Sequence, residues 1–151
     1  MATANELHRP FRPRAARRVS QALGVLTVAG ALAIIILVPQ VPGFAFTPAD
    51  QAGTAGLALV ILWLLWRQGG VRALPDEAGL TVRNIVYTRT VEWAEIVAVN
   101  FGSGNPWVQL DLSDGDTLAV MAIQRADGAH AAAEARRLAT LVALHEPRAN
   151  G

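Results

Sequence analysis

A chain of 151 residues can hold one domain with a core of its own, or a smaller domain plus an anchor. Hydrophobic residues make up 52% of it and charged residues only 17%, poorer in charge than an ordinary soluble domain, so composition leans towards a membrane. There is no cysteine, which excludes disulfides, thiolate metal sites, thiol catalysis and cysteine lipidation; with no lysine either, every fixed positive charge behind the formal net charge of +1 is an arginine.

The charge is unevenly spread. Before Val19 five arginines (Arg9, Arg12, Arg14, Arg17, Arg18) face one acid, Glu6, for a net +4, whereas from Gly70 onward seven arginines meet ten acids, for a net −3. Residues 1–18 therefore read as a basic tail ahead of a mildly acidic globular part.

No charged residue lies between Arg18 and Asp50, and the centre of that stretch, "ALGVLTVAGALAIIILV" (22–38), is apolar apart from Thr27. As a helix it covers roughly 26 Å, close to a bilayer core, which predicts a first span over about 20–38, stopped by Pro39 and Pro42. The second span, 48–67, opens with Thr47 suited to an N-cap, Pro48 at the first helical position and Asp50 facing the positive end of the helix dipole. Trp63 and Trp66 fall at its far end, where amphipathic rings settle among headgroups, with Arg67 beside them; Arg17 and Arg18 hold the matching place on the first span.

Neither segment has a polar face to show to water, which argues against a buried helix pair in a soluble bundle. A signal peptide ending near Gly43 and Ala45 is the minor alternative, opposed by the length of the apolar run and by the second span directly behind it. Arginines cluster before the first span and after the second (Arg67, Arg72), while the loop between the spans has none, so both termini are expected in the cytoplasm.

Beyond "RQGG" the pattern alternates. "VRALPDEAGLTVRN" predicts a strand, a turn at 75–79 and a second strand with Leu80 and Val82 on one face, and "IVYTRTVEW" predicts a third. "IVAVNFG" places Val97, Val99 and Phe101 on one side, "WVQLDL" sets Val108, Leu110 and Leu112 against Trp107, Gln109 and Asp111, and Asp114-Gly115 signals a hairpin into "TLAVMAI". The final stretch predicts a helix ending before Pro147, capped by Asp127, with Ala131, Ala135, Leu138, Leu141 and Val142 on its apolar stripe and Arg136 and Arg137 outside it. Five or more antiparallel strands and one helix suggest a curved sheet or partial barrel covered by that helix.

"VRALPDEAGLTVRN", "VEWAEIVAVNF", "PWVQLDLSDGD" and "AIQRADG", placed after a two-span hairpin with "ADQ" at the head of the second span, resemble the actinobacterial membrane proteins that carry a bacterial pleckstrin-homology (PH) domain. The resemblance covers nearly the whole chain. It implies a membrane α-hairpin plus an α+β PH-like domain, an antiparallel β-roll of about seven strands capped by a C-terminal helix, with tight loops or a missing edge because 70–147 is short for that fold. The expected layout is a tail at 1–18, a hairpin at 19–67, the PH-like domain at 70–146 and a short tail at 147–151.

The residues offer no catalytic signature. His8, His130 and His145 lack metal-ligand spacing, "DLSDGD" does not satisfy the EF-hand loop, "GSGNP" is no phosphate loop, and Ser20, Ser103 and Ser113 lack a nucleophile-elbow context. A non-enzymatic protein without cofactor or metal is therefore expected. Eukaryotic PH domains that grip phosphoinositides do so with basic residues between their first two strands, but the matching loop at 75–79 holds Asp76 and Glu77, which disfavours phosphoinositide binding.

Candidate contact residues are Arg72, Arg83 and Arg89, Asn84 at a strand end, and Trp107, out of phase with the apolar positions of its strand. For Arg83 and Arg89 simple β-alternation accounts for the pattern without any ligand. Trp93 is expected in the core with its indole nitrogen bonded to backbone. Besides the lipid bilayer an unidentified protein partner is expected, and nucleic acid is not, because the domain is acidic. The leading expectation is a membrane-anchored cytoplasmic adaptor or scaffold. Its rivals are a sensor of anionic headgroups and a small structural subunit of an envelope complex, whose hairpin would pack through small residues such as Gly24 and Gly30.

Overall fold

The computed structural model describes residues 4–145, so the expected tail at 147–151 lies outside the described residues. They form two compact units: residues 16–69, and a second made of residues 4–15 together with 70–145.

The first unit is a helical hairpin. Helix α2 (Arg14–Leu37), which follows a short α1 (Ala4–Leu7), starts before the apolar run and so takes Arg14, Arg17 and Arg18 into its opening turns. A single 3-10 turn over Val38–Gln40, with Pro39 inside it, ends the segment. Helix α3 (Pro48–Gly69) begins as expected: the Thr47 amide donates to Asp50 Oδ2 at 2.8 Å and the Asp50 amide to Thr47 Oγ1 at 3.3 Å. This is a capping box with aspartate in the usual glutamate position.

Both helices are long and apolar enough to cross a membrane, and none of their most apolar stretch is buried. Val25, Leu26, Leu57, Leu59 and Trp66 are each at least 64% exposed, an apolar surface far beyond what water-facing helices show. These helices are compatible with membrane association. The helices approach at Gly24, where an added Cβ would meet Leu62 Cδ2 at 3.8 Å. A cleft of about 610 Å³ opens at the loop end of the hairpin, lined by Ile34, Val38, Phe44, Phe46 and Leu57 with Asp50 at its polar edge.

The second unit contains two three-stranded antiparallel sheets. β1 (Arg72–Pro75), β2 (Gly79–Arg83) and β3 (Thr88–Glu92) form one; β4 (Ile96–Asn100), β5 (Trp107–Leu112) and β6 (Thr117–Gln124) form the other. Helix α4 (Ala129–His145) packs on β4 and β6. Its apolar stripe is the expected one, with Ala131, Ala135, Leu138, Leu141 and Val142 all buried against Leu80, Val82, Leu110, Leu118 and Ile123. Alternation is clean on β5, where Val108, Leu110 and Leu112 are buried. Gly115 closes the β5–β6 turn with φ at 87°, and the Asp116 amide bonds back to Asp114 Oδ1 at 2.9 Å.

Several expectations need correction. The third strand begins at Thr88 rather than Ile85, because the Asn84 amide bonds to the Tyr87 carbonyl at 2.9 Å and turns the chain at 85–87. Val97 is 63% exposed instead of sharing an inward face with Val99 and Phe101, since a bulge between Ile96 and Ala98 shifts the register. The described domain has six strands, one fewer than the full roll, as the expected missing edge allows.

The largest correction concerns the tail. Residues 4–15 are part of the folded domain: Phe11 is fully buried and forms an antiparallel bridge with Ala73, its amide donating to the Ala73 carbonyl at 2.8 Å and its carbonyl accepting from the Ala73 amide at 3.1 Å. The segment thus lies along the outer edge of β1. Arg137, expected outside the helix stripe, holds it there. Its Nη1 donates to the carbonyls of Leu7 at 2.7 Å and Arg9 at 2.8 Å, its guanidinium carbon lies 3.7 Å from the centre of the Phe11 ring, and Nη2 meets Glu134 Oε2 at 2.6 Å. Nor does Asp127 cap α4: its carboxylate accepts the amides of Arg14 at 2.9 Å and Ala15 at 2.6 Å, supplying the cap for α2 from 112 residues away.

Candidate functional site

The loop between β1 and β2 is built by its acid. Asp76 Oδ1 accepts the amides of Ala78 and Gly79, both at 2.8 Å, and the Asp76 carbonyl accepts the Trp93 indole N–H at 2.9 Å. Trp93 is 3% exposed, as expected of a core tryptophan with a backbone partner. Gly79 is dictated by space, because a Cβ there would fall 2.1 Å from the Val91 carbonyl oxygen. Asp76 and Glu77 remain exposed, so the loop presents negative charge to solvent.

His145 stacks on Trp93 with ring centres 4.9 Å apart, and His8 meets His145 edge-on at 6.1 Å. The two histidines of the chain ends thereby close the core near α4.

Of the five candidate contact residues, two are engaged within the fold. Asn84 is 3% exposed: its Nδ2 donates to the Ala119 carbonyl at 2.8 Å and its Oδ1 accepts the Met121 amide at 3.2 Å. The side chain acts as a one-residue substitute for a strand, joining the first sheet to β6. Arg89 shares the inward phase of Val91 and forks across to the β5–β6 turn, with Nη1 3.2 Å from Asp116 and Nη2 3.2 Å from Asp114. The hydrogen bond to Asp116 first, and the charge of both carboxylates with it, holds the guanidinium pKa above its ordinary value.

Arg72 and Arg83 are brought together. They are register partners on β1 and β2, while Ala73 and Val82 beside them point into the core, so the two arginines stand opposite each other on the outward face. Neither forms an ion pair among the described residues. The turn that follows Arg83 carries Val86, 81% exposed, and Tyr87, 46% exposed.

Trp107 is half-buried at the start of β5, opposite Gln124. Next to it the "GSGNP" loop is held by Arg125, which donates to the carbonyls of Asn105 at 2.9 Å and of Gly102 and lies over the Phe101 ring at 5.3 Å. On the helical unit Arg17 and Arg18 are exposed, as are Trp63 and Trp66, and Arg67 lies over the Trp63 ring at 5.6 Å. The residues that sequence reading missed are Phe11, Arg137 and the Val86-Tyr87 turn. Phe11 had a signal, being the one aromatic in the stretch "RPFRPR", where prolines keep the backbone extended.

A two-sheet antiparallel roll capped by a C-terminal helix, on a chain with two apolar helices, is the architecture of a PH-like membrane-associated module. Comparison with known proteins is consistent with this. A family model described as bacterial PH domain matches residues 71–140. An uncharacterized protein of Mycobacterium tuberculosis is 34% identical over 125 residues, 83% of this chain and 79% of that protein, and one of Mycobacterium bovis matches equally well. Low molecular weight protein antigen 6 of Mycobacterium tuberculosis is 40% identical over 53 residues, 35% of this chain and 46% of that protein. No solved structure matches. The chain belongs to the bacterial PH domain family.

Proposed function

We propose that this protein is a membrane-anchored, non-enzymatic adaptor: two spans hold a PH-like domain at the inner face of the cell membrane, both termini are cytoplasmic, and the domain makes contacts with a protein partner. One observation supports this topology. Residues 4–15 and 70–145 fold as a single unit, which favours a reading in which the segments flanking the hairpin lie on the same side of the membrane. Two spans are in keeping with that reading, and the arginine distribution favours the cytoplasmic side.

The absence of native cysteine makes this directly testable with single introduced cysteines and a membrane-impermeant maleimide. Val41→Cys, in the exposed loop between α2 and α3, is expected to label in intact cells, and Ser103→Cys, in the exposed β4–β5 loop, only after permeabilisation. The reverse pattern would place the domain outside. For the adaptor role, Trp107→Ala in the tagged full chain is expected to abolish co-purification of the partner while the domain stays folded, since the residue is only half-buried at a strand end. Unchanged co-purification would remove Trp107 from the contact surface.

A further inference from the structure

We propose that the turn joining β2 to β3 is a third point of membrane contact, in which Val86 and Tyr87 enter the headgroup layer while Arg72 and Arg83 bind lipid phosphates. The inference rests on the membrane reading of α2 and α3 and goes beyond it by assigning a lipid-facing edge to the folded domain.

Three observations converge. First, Val86 at 81% exposure and Tyr87 at 46% stand on a hairpin tip where polar turn residues would ordinarily be found. An aliphatic residue beside a tyrosine is the pairing that an interface favours, with the ring's hydroxyl remaining among the headgroups.

Second, register places this tip at a defined end of the sheet. Arg72 is opposite Arg83, and Arg83 is opposite Thr88, so the turn at 84–87 projects from the end at which β1 begins. Arg72 follows Gly69, the last residue of α3, by three positions in the chain.

Third, like charges directly opposite each other on neighbouring strands are unfavourable unless an anion comes between them. No carboxylate pairs with Arg72 or Arg83 among the described residues, and the Arg72 Nε is shielded from water with no acceptor. A phosphate offers guanidinium the bidentate acceptor that this arrangement lacks. The acidic β1–β2 loop lies at the opposite end of the sheet, because Pro75 pairs with Leu80 there, so its charge does not oppose the contact.

The full chain tests this after reconstitution into vesicles of phosphatidylcholine with phosphatidylglycerol, carrying an environment-sensitive fluorophore on one introduced cysteine. Val86→Cys is expected to give a blue-shifted label that is quenched by doxyl lipid with the doxyl high on the acyl chain. Ser103→Cys is expected to remain water-like, and Leu59→Cys, mid-way along α3, to be quenched by lipid with the doxyl deep in the chain. Each arginine contributes roughly fivefold to the contact equilibrium at an anionic surface, so Arg72→Gln with Arg83→Gln is expected to shift it towards the water-like state by roughly 25-fold. A water-like Val86 label alongside a quenched Leu59 label overturns the proposal and would make the turn a site for another partner. A water-like Leu59 label overturns the spanning reading on which it rests.

Discussion

Phe11→Ala is expected to destabilise the folded domain by about 3–5 kcal/mol, a change in the population of unfolded molecules of more than a hundredfold. The ring is completely buried and the helix-borne Arg137 guanidinium lies on its face, so truncation leaves a cavity and strips a cation of its aromatic partner. The backbone bridge to Ala73 depends on the same anchor. In the full chain in detergent micelles, hydrogen exchange would show the Ala73 amide losing protection first, since its acceptor is the Phe11 carbonyl. A detached basic tail would predict no change at all, so unaltered exchange in β1 sinks this account. Arg137→Ala provides an independent check: Glu134 and Arg137 are only 14% and 12% exposed, and removing one partner of such a pair costs an amount of the same order.

This arrangement changes what can be regarded as the domain. A fragment beginning at Gly70 would lack the segment that covers the edge of β1, together with the donor groups of Arg14 and Ala15 that Asp127 caps. It would expose an apolar groove and an unpaired strand edge, the two features that favour self-association. The PH-like fold has six strands among the described residues, and the N-terminal segment adds a single bridge, Phe11 to Ala73, along the outer edge of β1.

What sequence reading captured is local or periodic. The Thr47-Pro48-Asp50 cap, the Asp114-Gly115 turn and the five-residue stripe of α4 each follow from spacing within a dozen residues, and each is observed as expected. What it missed is joined across the chain. Asp127 has the local signature of a helix cap, yet its oxygens serve amides 112 and 113 residues away. Arg137 fits the polar face of α4 by phase, and only the folded tail gives it three carbonyls and a ring. Val97 fits its strand by alternation until the bulge at Ile96 turns it outward. Of the candidate contact residues, alternation correctly anticipated that Arg83 faces outward, but Arg89 shares the phase of the buried Val91 and finds its acids on a turn of the other sheet. Local pattern specifies which face a residue takes; partners brought by topology decide what it does there.

Asn84→Ala separates a ligand-binding role from a structural one. The side chain amide donates to the Ala119 carbonyl and accepts the Met121 amide on β6, so its removal orphans one acceptor and one donor in a site that is 3% exposed. Each buried group left without a partner costs about 1–3 kcal/mol, which predicts a loss of roughly 2–6 kcal/mol and a lower thermal midpoint. Asn84→Asp is expected to be no better: a carboxylate keeps the acceptor for Met121 but places negative charge against the Ala119 carbonyl in a buried setting. Hydrogen exchange in the full chain would report the defect as lost protection at Met121, with α3 unaffected. If Asn84 instead served a ligand, both variants would retain wild-type protection in β6. That outcome would return Asn84 to the contact surface with Arg72 and Arg83. Loss of protection would establish that the polar strand end, which in sequence looks poised for a ligand, is consumed in holding the two sheets together.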